Sequence, residues 1–387
     1  MSDRRRICAV TGSRADYGLL YWPMRLLVED DAFELQVVVT GSHLSRRHGE
    51  TWRQVEEDGF RIAARVDLAL AEDTPPAVTR ALGRAVYGMA DVLEKLRPDL
   101  LMLLGDRYEI LAVAAAALIA QVPVVHLCGG DLSEGAIDDA VRHAVTKMAH
   151  VHCVSNEVAA RRVAQMGEDP ARIFVTGSPG LDHLRGFKPL PREDFFQRMG
   201  LVPRGRTALV TFHPETLGDA DPECAMGELL AALDALGPDF GFILTGSNAD
   251  VAGSRVQRMA GEYAARRDNA CFHVSLGGTL YFNALAHADV MVGNSSSGLY
   301  EAPSFRLPTV NIGGRQRGRL RAASVVDCEA RREAIVSAVG AALALDCRDL
   351  VNPYGDGRSA PRIVAAIKGL PPPSSLLRKR FHDIAES

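Results

Sequence analysis

Four times along the chain a short apolar run ends in Thr-Gly-Ser: AVTGS (Ala9 to Ser13), VVTGS (Val38 to Ser42), FVTGS (Phe174 to Ser178) and ILTGS (Ile243 to Ser247). Each run is rich in β-branched residues and is closed by glycine. A parallel strand buried on both faces reads this way where it stops at its carboxyl end. Further runs of the same kind are LLMLLGDR (Leu100 to Arg107), VPVVHLCGG (Val122 to Gly130) and VHCVS (Val151 to Ser155). Later come TALVTFHPE (Thr207 to Glu215), ADVMVGNSSSG (Ala288 to Gly298) and PTVNIGG (Pro308 to Gly314). Helix-like stretches such as Pro76 to Lys95 and Glu109 to Ala120 separate them. Strands alternating with helices predict an α/β protein with parallel sheets. The spacing of the runs is too uneven for a solenoid.

A chain of 387 residues exceeds one ordinary core, which predicts two domains. The stretch FKPLPREDFFQRMGLVPRGR, with three prolines and many charges, is the natural joint. The expected division is residues 1–185, residues 186–365 and a tail of residues 366–387 that packs back on the first domain. Both domains are expected to be doubly wound and to face a central cleft, with ligands beyond the carboxyl ends of the strands. A net charge of -4 advertises neither nucleic acid nor an acidic membrane. Arg4, Arg5 and Arg6 lead into a run only about one strand long, too short for a signal or membrane helix. Seven scattered cysteines without a CxxC pair predict reduced thiols and a cytoplasmic location.

The motifs fall at the predicted strand ends. TGSRADYG lacks GxGxxG spacing, and Arg14 stands there as a phosphate partner. GNSSSGLYE offers hydroxyls and N–H groups before a predicted helix, an anion site that includes Ser295 and Ser296, with Glu301 as an acceptor for ribose hydroxyls. Arg315 in IGGRQRGR and His213 in HPE end two more strands. LGDRYE sets Asp106 beside Arg107; the plain structural alternative is a helix-opening aspartate. In HLCGGDLSEGAIDDAVRH, Asp131, Glu134, Asp138 and Asp139 crowd one loop and helix start. The pairs Asp138–Arg142 and Asp139–His143 have the spacing of exposed helix ion pairs. Crowded carboxylates also raise one another's pKa, which suits general acid and base work near neutral pH. HVH (His150 to His152) is not HExxH, no carboxylate run has calcium-loop spacing, and no metal is expected.

Taken together, TGSRADYG, GDRYE, HLCGGD, the DDxxRHAxTKMAH run, GSPGLD, FHPET, GSNAD, GNSSSG and IGGRQRGR resemble the hydrolysing UDP-N-acetylglucosamine 2-epimerases of sialic and related nonulosonic acid biosynthesis. The match covers most of residues 7–320, in the family's order. The resemblance implies a fold like that of GT-B glycosyltransferases. It also implies a reaction: a base takes the C2 proton while the C1–O bond to the nucleoside diphosphate breaks, and the glycal then adds water at C1 and a proton at C2 on the opposite face. The products are free N-acetylmannosamine and UDP. No cofactor is implied, since the net change is redox neutral. The resemblance assigns Asp106, Asp138 and His213 to catalysis, and Asp131 and Glu134 join them as further catalytic candidates. It assigns Arg14, Arg107, Arg142, Asn248, Ser295, Ser296, Gly298, Glu301 and Arg315 to substrate and nucleotide. Several relatives carry a catalytic glutamate just before the glycine pair; this chain has Cys128 there, so Asp131 or Glu134 is expected to replace that acid. Other implied substrates are a UDP-linked 2,4-diacetamido-2,4,6-trideoxy sugar (N,N'-diacetylbacillosamine) and a GDP-linked sugar. A non-hydrolysing epimerase, a GT-B glycosyltransferase and a non-catalytic nucleotide-sugar sensor remain alternatives. The expected partner is a UDP-sugar, with no nucleic acid and no membrane, in a dimer or tetramer.

Overall fold

The structure is a computed structural model, described over residues 4–70, 72, 74–133, 137–214, 221–246 and 253–384. The chain divides into two units, residues 1–185 with 354–387, and residues 186–353.

The first unit holds a seven-stranded parallel sheet. Its strands are β1 (Arg5–Thr11), β2 (Phe33–Thr40), β3 (Ile62–Val66), β4 (Leu100–Leu104), β5 (Val124–Leu127), β6 (Val151–Val154) and β7 (Ile173–Val175). They lie in the order β3-β2-β1-β4-β5-β6-β7. Alternate side chains of β1 divide between two cores. Ile7 and Ala9 pack with the helices Arg14–Glu29 and Ser359–Lys368 on one face; Cys8 and Val10 pack with Pro75–Leu96 and Tyr108–Ile119 on the other. Both faces are therefore covered, which is why the strands read as unbroken apolar runs.

The second unit repeats the plan with six parallel strands: β8 (Arg206–Thr211), β9 (Phe240–Thr245), β10 (Ala270–His273), β11 (Val290–Gly293), β12 (Thr309–Ile312) and β13 (Val325–Cys328). Their order is β10-β9-β8-β11-β12-β13. Ala208 and Val210 face the helices Pro222–Ala235 and Arg332–Leu343, while Leu209 faces Arg192–Met199 and Gly277–His287.

The chain rejoins the first unit at Tyr354, earlier than the boundary at 365 read from the sequence. The reason is the apolar stripe Ile363, Val364 and Ile367, which is buried against the helix Arg14–Glu29. Hydrogen bonds fasten it: Arg5 donates to the carbonyls of Ile367 (2.6 Å) and Leu370 (2.9 Å), and Ser359 N–H donates to Asp182 (2.7 Å). The tail continues along the same unit, where Lys379 pairs with the buried Glu168 at 2.7 Å. Among the described residues no helix is long and apolar enough to cross a membrane.

In each sheet the winding reverses once, between β1 and β4 in the first unit and between β8 and β11 in the second. Loops leaving the carboxyl ends of such a pair diverge to opposite faces and open a crevice that backbone and side chains can line. Thr11 to Ser13 and Gly105 to Arg107 flank the first switch; Phe212, His213, Asn294 and Ser295 flank the second.

Candidate active site residues in the two units

In the first unit the loop after β1 is folded around Asp16. Its carboxylate accepts from Gly12 N–H (2.8 Å), from Thr11 Oγ1 (3.0 Å) and from the Ser13 hydroxyl. Ser13 is also the N-cap of the helix that Arg14 opens. Arg14 is left exposed, with no hydrogen bond to any described residue. His43, fully buried after β2, meets Thr11 Oγ1 at 3.0 Å and Thr51 Oγ1 at 2.8 Å, so it ties a second loop to the first. Burial pulls its pKa down, against the pull of Asp16.

The carboxylate cluster gathers around one buried guanidinium. Arg142 is 5% exposed. It contacts the Asp106 carboxylate, donates to the Asp131 carbonyl (2.7 Å) and the Ser133 hydroxyl (2.9 Å), and lies 3.6 Å from Asp139. The expected Asp138–Arg142 surface pair does not form, because Arg142 turns inward to the end of β4. The Asp139–His143 pair is present at 3.4 Å. Asp106 is not a helix-opening aspartate either: Arg107 occupies the N-cap position of the next helix, and that helix has no side-chain cap. Both terminal nitrogens of Arg142 are thus engaged by protein groups.

Asp131 is held by the end of β6. Its two carboxylate oxygens each accept from Ser155 Oγ at 3.0 Å, and Asn156 Nδ2 adds a longer contact of 3.4 Å. Just upstream, Cys128 adopts a left-handed φ of 62°, unusual for a residue with a side chain. Burial, and then the negative charge of Asp131, push its thiol far above the ordinary range, so it stays protonated at neutral pH. Asp138 opens the helix Ile137–Met148, and its carboxyl is pushed up by burial and then by Asp106, against the pull of Arg142 and Arg107. Of the four acids, Asp106 and Asp139 present carboxylates to Arg142, Asp131 reaches it only through its carbonyl, and Asp138 makes no pair with it.

In the second unit a network centred on the Asn294 amide joins three strand ends. Asn294 Oδ1 accepts from His213 N–H (2.7 Å), and Asn294 Nδ2 donates to the His213 carbonyl (2.8 Å). The Asn294 carbonyl accepts from Arg315 (3.2 Å) and Gln316 (2.7 Å). Gly293 makes this closeness possible: with φ at 141°, a Cβ there would lie 1.9 Å from the Thr211 carbonyl. His213 is pulled down to about 4 by burial and then by the Arg315 charge, so its ring is neutral at pH 7. Ser295 and Ser296 precede a helix of a single turn, Ser297–Tyr300, which Pro303 prevents from continuing as an α-helix. The predicted helix is present but one turn long, with little macrodipole, so what this strand end offers an anion is hydroxyls and local N–H groups. Gly298 packs this turn against Thr309 of β12. Glu301 closes the turn, and burial pushes its carboxyl up to about 7.

Glu134 and Asn248 lie outside the described residues. Sequence reasoning passed over Asp16, His43, Glu109, Ser155, Asn156, Asn294 and Gln316. Ser155 and Asn156 had a signal, since they follow a predicted strand directly; Asn294 sat unremarked inside GNSSSG.

A family model for UDP-N-acetylglucosamine 2-epimerase matches residues 25–368. The chain belongs to the UDP-N-acetylglucosamine 2-epimerase family. The matched range takes in every assigned site residue except Arg14. Two bacterial relatives are each 36% identical: the GDP/UDP-N,N'-diacetylbacillosamine 2-epimerase (hydrolyzing) of Campylobacter jejuni, over 84% of this chain and 85% of that one, and the UDP-N,N'-diacetylbacillosamine 2-epimerase (hydrolyzing) of Legionella pneumophila, over 97% and 98%. The fold is also that of the Neisseria meningitidis UDP-GlcNAc 2-epimerase solved with UDP-GlcNAc, at a TM-score of 0.73 and 17% identity over 94% of this chain and 99% of that one. The two Rossmann-like sheets follow the GT-B-like plan of the epimerase family.

Proposed function

We propose that the chain is a hydrolysing nucleotide-sugar 2-epimerase, which converts a UDP-linked 2-acetamido sugar and water into the free 2-epimer and UDP. The arrangement of Asp106, Asp131, Asp138 and Asp139 around Arg142 supports this reading most directly. C2–H is a poor acid, so its removal must accompany loss of a stabilised leaving group. Arg14, Arg107, Arg315, Ser295 and Ser296 stabilise the departing diphosphate, and Glu301 accepts from the ribose hydroxyls. His213, neutral at pH 7, donates a hydrogen bond to a phosphate oxygen without adding charge. Proton removal on one face of C2 and return on the other need two groups. Asp138, whose carboxyl is pushed upward, returns the proton, and Asp106 or Asp131 removes it. The Cys128 thiol takes no part in proton transfer. Asp131 or Glu134 does the work of the glutamate that several relatives carry at that point.

For the sugar, the names of the two relatives at 36% identity support N,N'-diacetylbacillosamine over N-acetylglucosamine. Incubation with each UDP-sugar in deuterated water, without acceptor, followed by NMR, tests both levels. Free 2-epimerised sugar carrying deuterium at C2 is the expected product, with the diacetamido sugar turned over faster. Intact epimerised UDP-sugar would mean a non-hydrolysing enzyme; no product from either sugar, or faster use of a GDP-linked sugar, would overturn the substrate. Among Asp131→Asn, Glu134→Gln and Cys128→Ala, a loss of activity confined to Cys128→Ala would sink the account of the acids.

A further inference from the structure

Glu109 has no role so far, yet it is fully buried in the first unit, two residues beyond Arg107. Burying a carboxylate costs several kcal/mol unless it is well paired. Among the described residues its ion pair is with Arg107, whose Nε donates to Oε1 at 2.5 Å, and Oε2 is buried and finds no hydrogen-bond partner there. An amide or an apolar side chain would fill the same space at lower cost, so the charge calls for an explanation.

Side-on pairing through Nε is informative. A guanidinium held there keeps its plane fixed and has both terminal nitrogens left over. In Arg107 those nitrogens make no hydrogen bond to any described residue, and the side chain is 43% exposed. Glu109 also sits behind two loops. A Cβ on Gly12 would come within 2.6 Å of Glu109 Oε1 and 2.8 Å of its Cγ; one on Gly41 would come within 3.1 Å of Oε1 and 2.6 Å of the Gly12 carbonyl. Gly12 is not in the left-handed region, so the bulk of Glu109 is what excludes a side chain there. The loop that carries Arg14 therefore rests directly on the residue that orients Arg107.

We infer that Glu109 is a positioning residue: it holds Arg107 edge-on, and through Gly12 the loop bearing Arg14, so that both guanidinium groups meet one diphosphate. This rests on the proposed reading of Arg14 and Arg107 as diphosphate ligands.

The test measures UDP affinity by calorimetry, and steady-state kcat and KM, for wild type, Glu109→Gln, Arg107→Ala and the double variant. Glu109→Gln should weaken UDP about tenfold and raise KM more than it lowers kcat, the order expected for one charge-assisted contact. In the Arg107→Ala background the same change should alter UDP affinity less than about twofold, since the residue it acts through is gone. A second variant leaves Glu109 intact. In Arg107→Lys, Glu109 captures the single ammonium, and UDP affinity should fall nearly as far as in Arg107→Ala. Unchanged UDP affinity in Glu109→Gln, an equal loss in both backgrounds, or wild-type affinity in Arg107→Lys would each overturn the inference while leaving the proposed reaction standing. A wild type that binds no UDP would remove the reading beneath it, and the inference with it.

Discussion

The two units share a winding plan but differ in what they collect at the switch point. The first gathers charge: the Asp106 and Asp139 carboxylates lie against Arg142, which also holds the Asp131 carbonyl, and Asp138 is close enough to feel Asp106 and Arg142. The second gathers amides around a single cation: Asn294 and Gln316 lock the loops of His213 and Arg315 through side-chain hydrogen bonds to backbone, with no carboxylate in that network. Charged groups in mutual contact shift one another's proton affinity and so suit proton transfer. Preset N–H and hydroxyl groups suit an incoming anion, which brings its own charge. The same fold thus appears twice with different chemistry at the same topological point.

The sharpest way to break this contrast is to remove one acid. Asp138→Asn should lower kcat by about 10²–10⁴, the usual range for a general acid or base, while UDP affinity changes less than severalfold. Steady-state kinetics and calorimetry on the same sample decide it. A large loss of UDP affinity with kcat intact would assign Asp138 to binding and erase the difference between the units.

The contrast extends to folding. Arg142→Met strips the acids of their shared partner. It should cost about 3 kcal/mol in denaturant unfolding, the low end for a broken buried pair because the Asp106 side chain keeps 27% exposure. Arg315→Met removes the contact to the Asn294 carbonyl and should destabilise less than Arg142→Met, yet weaken UDP about tenfold. Equal destabilisation by the two changes would show that Arg142 is no more structural than Arg315.

The parts legible in the sequence are those that local physics sets. A β-branched run closed by glycine is a buried strand wherever it lies, and the residues after it fall at the strand's carboxyl end. Asp106, Asp131, His213 and Ser295 could be picked out for that reason. Arg142 shows where the reading stops. Its spacing from Asp138 is that of a helix ion pair, but its partner Asp106 lies 36 residues earlier and reaches it only once β4 and β5 have paired. Asn294 and His213 are 81 residues apart, joined by the register that sets Gly293 opposite Thr211. The helix Ser359–Lys368 displays its apolar stripe openly; which sheet that stripe covers is a tertiary choice with no local mark.

The smallest expected effect is also the most direct reading of the electrostatics, and it has opposite signs in the two units. Asp138 is raised by burial first and by Asp106 second. Asp106→Asn removes the second cause, so the Asp138 titration midpoint should move down, by less than about one pH unit because burial remains. His213 is lowered by burial first and by Arg315 second. Arg315→Met should therefore move His213 up from about 4, again by less than about one unit. The same shifts enter stability with opposite slopes. The Asp138 contribution is complete below its ordinary carboxylate pKa and fades as pH rises through the raised value. The His213 contribution is complete above its ordinary value near 6.5 and fades as pH falls toward about 4. NMR titration of labelled aspartate and histidine in wild type and the two variants measures both. Movement of Asp138 and His213 in the same direction would mean that the charges assigned as their neighbours are not the ones acting on them.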